Sequence, residues 1–207
     1  MTEWFRNSAW TPEIEAEFEA RLARSRGQKA QYLRIQGSML KDSHPEIAIG
    51  LLQRCIHLGD ETQIAAAMMD SAQAYYRMGN LDQALACLEA AIAQEARQPM
   101  FRTSAPFDYA MLVALHGRSE RFDSALAVLD LAGAGLLPVM DYQAEGARAV
   151  ILSAKGKDGE ARAAAARALA AQGKPGWIPG HPDVGMMPHG NDPLSALVRQ
   201  ILDRPRG

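Results

Sequence analysis

Between residues 68 and 92 the apolar and small positions follow two helical rhythms separated by one break. Met68, Ala72, Tyr75 and Met78 recur at spacings of three and four, and Leu81, Ala84, Leu85, Leu88, Ala91 and Ile92 do the same after the break. Such spacing puts each set on one face of a helix. The break itself reads Gly79-Asn80. A glycine can take the left-handed conformation that ends a helix, and asparagine starts the following turn. Ala84 is small enough to let two helices approach closely. The segment therefore predicts a helix hairpin.

The same pattern returns three more times, which makes the hairpin a repeat. Aligned on the small residue of the second helix, the four copies place Ala48 in HPEIAIGLLQRCI, Ala84 in NLDQALACLEAAI, Ala125 in RFDSALAVLDLAG and Ala161 in KDGEARAAAARAL. The matching first helices are QYLRIQGSML, AMMDSAQAYYRM, FDYAMLVALHGR and EGARAVILSAK. Paired antiparallel helices with breaks near 43, 79, 120 and 157, and essentially no strand, are the expected architecture. In this register His116 falls where the second unit has Tyr75, a core position.

Residues 29–171 resemble the tetratricopeptide repeat family. That family's unit of about 34 residues carries a small residue, an aromatic, a glycine at the break, a large apolar residue and an alanine. The second unit supplies Ala72, Tyr75, Gly79, Leu81 and Ala84, followed by Leu88 and Ala91. The third keeps Phe122, Ala125 and Leu129 but has Glu120 where glycine is expected. The first has Ser43 and Pro45 at its turn, and the fourth keeps Gly156 and Ala161 in an alanine-rich setting. The resemblance implies an all-α, right-handed superhelical array whose first helices build a concave peptide-binding face. On it the resemblance puts Ala66, Met69, Gln73, Tyr76 and Arg77 of the second unit, and at the last of these places three successive units are basic: Lys41, Arg77 and Arg118. The implied ligand is an acidic peptide or carboxylate; basic residues at helix C-termini also simply complement the helix dipole. The family's clamp for chaperone tails is not implied, because Leu33 and Gly37 stand where it needs lysine and asparagine.

An array of hairpins exposes an apolar face at each end, so terminal segments must cover it. In residues 1–28, Thr11 is placed to cap a helix with Pro12 at its first position. Glu13, Glu15, Glu17 and Glu19 precede Arg21, Arg24 and Arg26, as the helix dipole favours. Ile14, Phe18 and Leu22 form one apolar stripe, with Trp4, Phe5 and Trp10 as packing anchors. Residues 172–207 are expected to pack on the same domain. Five glycines and five prolines between 173 and 193 exclude regular structure there. Trp177, Ile178, Val184, Met186 and Met187 are nevertheless too apolar for a solvated linker. This segment is expected to fold back, onto the fourth unit or into the groove. After it Leu194, Leu197, Val198, Ile201 and Leu202 share a helical face, which supplies volume that ARAAAARALAA lacks.

Charge changes the picture little. The 22 basic and 24 acidic residues leave a formal net charge of -2, which argues against a nucleic-acid binder driven by bulk charge. No basic n-region with a following apolar run is visible at the N-terminus, and no stretch reaches the roughly 20 apolar residues needed to span a bilayer. Cys55 and Cys87 read as reduced core thiols of a cytoplasmic protein. Candidate chemistry is sparse. His181 and His189 share a loop with Asp183 and Asp192, but their spacing matches no recognisable metal site. No nucleophile elbow, phosphate loop or zinc-protease motif occurs.

The sequence thus predicts a non-catalytic adaptor or scaffold, without cofactor or metal, that binds a protein or peptide. Lys41, Met69, Gln73, Tyr76, Arg77 and Arg118 are its candidate binding residues. Two rivals are an inhibitor or immunity-type protein that neutralises one folded partner, and an enzyme using the His181–Asp192 loop. Self-association through the array is a further option; nucleic-acid and membrane partners are not expected.

Overall fold

The computed structural model describes residues 3–172, 174, 185 and 192–204. These residues are helical with no strand among them, in the order α1 (Pro12–Arg24), α2 (Lys29–Leu40), α3 (Pro45–His57), α4 (Glu61–Arg77), α5 (Leu81–Arg97), α6 (Ala105–Leu115), a 3-10 turn (Ser119–Arg121), α7 (Phe122–Ala132), α8 (Pro138–Ala154), α9 (Asp158–Gln172) and α10 (Pro193–Asp203). Two compact units result, residues 1–105 and 106–207.

Local signals set the helix ends. Thr11, Asp60, Asn80 and Asp192 each accept a backbone N–H from the first turn that follows them, which satisfies donors that would otherwise have no partner. At the close of α4, Gly79 sits at φ +76°. Its N–H donates to the Tyr76 carbonyl (3.0 Å) and that of Asn80 to the Tyr75 carbonyl (2.9 Å), the paired bonds of a glycine-terminated helix. Gly117 (φ +59°) ends α6 in the same way, with Arg118 N–H donating to the Val113 carbonyl.

In the first unit, α2 packs on α3, α3 on α4, and α4 on α5. Phe18, Leu22, Leu33, Leu40, Leu52 and Cys55 form the buried centre, and Trp4, Phe5, Trp10 and Tyr32 close its side. Trp4 and Trp10 pack on Phe18, and Trp4, Phe5 and Tyr32 pack on one another, with ring centroids 4.7 to 5.6 Å apart. The extended arm is held by Gln36, which is fully buried: its Oε1 accepts the Asn7 N–H (3.1 Å) and its Nε2 donates to the Asn7 carbonyl (2.8 Å). A side chain at Gly37 would meet Leu52 at 2.7 Å, so the α2–α3 crossing requires glycine.

In the second unit, α8 packs on α9 and α10 lies against both. The buried face of α9 is entirely alanine, Ala161, Ala164, Ala165, Ala168 and Ala171, and Leu194, Val198 and Ile201 of α10 belong to the same core. Gly146 lets α10 come close; a Cβ there would stand 2.7 Å from a Leu194 methyl. The Tyr142 hydroxyl donates to Asp192 (3.0 Å), the residue that also caps α10.

Side-chain contacts recur at a separation of 35 residues: Ser8 with Ser43, Glu19 with Arg54, Asp42 with Arg77, and Met69 with Ser104 in the first unit, and Asp108 with Gln143 in the second. A separation that recurs in this way is what helix hairpins of similar length would give between matching places, although other contacts recur at 29 and 32 residues.

Candidate protein-binding face

The outward side of α2 and α4 carries the candidate residues of the first unit. Its centre is Asp70, 2% exposed, in an otherwise alanine-lined stretch of α4. Its Oδ1 accepts from the Lys41 ammonium (3.0 Å) and the Ser38 hydroxyl (3.1 Å), both on the α2 side. Its Oδ2 makes no hydrogen bond and faces the Arg34 guanidinium at 3.5 Å. Arg34 also donates from Nε to Gln63 (2.8 Å). A buried carboxylate needs such company, since an unpaired one costs several kcal/mol. The cluster ties the first hairpin to the second and leaves two mostly buried cations over one acid.

The remaining predicted residues lie around it. Met69 is half-buried, its sulfur accepting the Ser104 hydroxyl (3.2 Å). Gln73 is half-buried, and Ala66 likewise. Tyr76 is 40% exposed. Arg77 is exposed and pairs with Asp42 at 2.6 Å.

The three basic residues do not occupy equivalent places. Arg77 is the last residue of α4, Lys41 caps α2, and Arg118 lies beyond the helix-ending Gly117. The contacts at 35-residue separation pair Arg77 with Asp42, one residue past Lys41. By its backbone bond to a residue five earlier, Arg118 matches Asn80. The cause is loop length. Aligning on the second helices ignores that four residues separate α2 from α3, three separate α4 from α5, and six separate α6 from α7. The same shift corrects His116, which is exposed beyond α6, while buried Val113 holds the place before the helix stop that Tyr75 holds in α4. Arg118 itself stands in the second unit with Glu120 3.9 Å away.

No protein-family model, curated protein or solved structure matched the chain.

Sequence reasoning missed Arg34, Ser38 and Asp70. The signal was present: an aspartate at a helical position whose neighbours on the same face, Ala67 and Ala74, are core residues. Of the loop set, His181, Asp183 and His189 lie outside the described residues, as do Trp177, Ile178, Val184, Met186 and Met187. Asp192 is committed to Tyr142 and to the α10 cap. Gly185 is described: its carbonyl accepts the Val139 N–H (2.9 Å) and it packs on Leu137. Burial raises the Cys55 thiol to about 11 and raises Cys87 as well, so both stay protonated and unreactive at neutral pH. Among the described residues no three His, Cys, Asp or Glu side chains are grouped to hold a metal, and no helix is long and apolar enough to cross a membrane.

Proposed function

We propose that this chain is a non-catalytic protein- or peptide-binding module of tetratricopeptide-like hairpins, and that its binding surface is the outward face of the first helices. The observation that carries the reading is the α2–α4 face, where Arg34 and Lys41 share the single carboxylate of Asp70 beside exposed Met39 and Tyr76. A surplus positive charge next to adaptable and aromatic side chains suits a peptide bearing an acidic group and an apolar one. Arg77 is balanced by Asp42 and contributes less. Two unpaired cysteines favour a reducing, cytoplasmic setting.

The test is fluorescence anisotropy with pools of short labelled peptides that are acidic, neutral or basic. The acidic pool should bind best, more weakly in higher salt, and Arg34→Gln with Tyr76→Ala should lower its affinity. Equal binding of all three pools, or an unchanged affinity in the double variant, refutes the assignment.

A further inference from the structure

A second site lies wholly within residues 106–207. The end of α7, the first half of α8 and the end of α9 enclose a half-open cleft of about 500 Å³, within the range of roughly 300 to 1,000 Å³ typical of ligand sites. Its floor is apolar, made of the buried Leu129, Ala144 and Ala171. Its rim is charged in both signs. Arg148 is paired with Asp130 and Arg167 with Glu145, each at 2.8 Å. Two rim charges remain outside any ion pair among the described residues. Asp141, in the first turn of α8, uses one oxygen to accept the Gly135 N–H (2.8 Å), and Lys174 follows the end of α9.

We infer that this cleft binds a dipolar peptide segment: an apolar side chain on the floor, a cationic group against Asp141 and a carboxylate against Lys174. A ligand of one sign gains at one of these residues and is repelled at the other, whereas a ligand with both signs gains at each. The arginines add no net preference, because each already has its carboxylate. The site is separate from the α2–α4 face and does not depend on the function assigned to that face.

The experiment is an NMR titration of the full-length, isotopically labelled chain with three end-blocked tripeptides, Lys-Leu-Glu, Lys-Leu-Lys and Glu-Leu-Glu. Saturable shifts at Ala134, Asp141 and Ala171 are expected for the first, and affinities weaker by about threefold or more for the other two, the scale of one exposed ion pair. Lys174→Glu should reverse the order and make Lys-Leu-Lys the best ligand. Ala170→Phe, at an exposed cleft position, should abolish binding without lowering the melting temperature. The inference is overturned if no peptide saturates, if all three bind alike, if Lys174→Glu leaves the order unchanged, or if Ala170→Phe binds as the parent chain does.

Discussion

Lys41→Met should cost more stability than Asp70→Asn, although both remove the same ion pair. Asp70 is 2% exposed and Lys41 keeps about a fifth of its side chain in solvent. Without Lys41 the carboxylate retains only the Ser38 hydroxyl and a guanidinium at 3.5 Å. It cannot recruit bulk water, so a charge is left under-compensated inside the protein. Breaking a fully buried pair in this way costs about 3 to 5 kcal/mol. The partial exposure of Lys41 and the surviving Arg34 reduce that to roughly 2 to 3 kcal/mol. Asp70→Asn leaves no buried charge; Lys41 turns to solvent, the Ser38 bond survives, and the loss is about 1 kcal/mol.

Urea unfolding followed by tryptophan fluorescence reads this directly. Trp4 and Trp10 lie in the first unit, and a Trp177→Phe background confines the signal to them. A loss of 2 to 3 kcal/mol corresponds to a fall in Tm of roughly 5 to 10 °C for a chain of this size. The double variant Lys41→Met/Asp70→Asn should recover part of the single loss, because the stranded charge is gone. If Asp70→Asn proves the more harmful single change, or if Lys41→Met shifts the midpoint by less than about 0.5 kcal/mol, the buried-carboxylate account is wrong.

Ala84 is fully buried in the α4–α5 hairpin, so Ala84→Leu should overpack it and cost roughly 1 to 3 kcal/mol in the same assay; an unchanged midpoint would mean the helices do not cross there. Tyr142→Phe removes a hydrogen bond to the Asp192 carboxylate and should destabilise the second unit by about 1.5 kcal/mol, measured by amide exchange in α10, where an unaltered rate would count against the latch. Burial holds the Glu95 carboxyl above its ordinary value, with its Thr103 hydrogen bonds opposing. A group whose folded pKa is raised contributes stability at low pH that is lost as pH rises through that value. Glu95→Gln keeps an acceptor for Thr103, so it should raise the midpoint at pH 7 and lose that advantage near pH ~4; a gain that persists there would assign the effect to packing.

How far the fold could be read in advance depended on which physical signal carried it. Helical periodicity and the breaks were legible because helix stops are local: Gly79, Asn80 and Gly156 act through their own backbone and nearest neighbours. Asp70 was not, since its meaning depends on Arg34 and Lys41, residues about one repeat away. The stripe of Lys41, Arg77 and Arg118 went astray for another reason. Aligning on the second helices assumed loops of constant length, and the 3-10 turn after α6 lengthens one of them. The alignment made residue 120 the counterpart of Gly79, whereas the backbone gives that role to Gly117 at φ +59°, with open space where a Cβ would stand. Gly117→Ala therefore meets no clash, yet must hold a left-handed conformation that costs an L-residue about 1 to 2 kcal/mol. Glu120→Ala, exposed in the 3-10 turn, should change stability by less than about 0.5 kcal/mol. Comparable effects at 117 and 120 would restore the original register and, with it, the equivalence of the three basic residues.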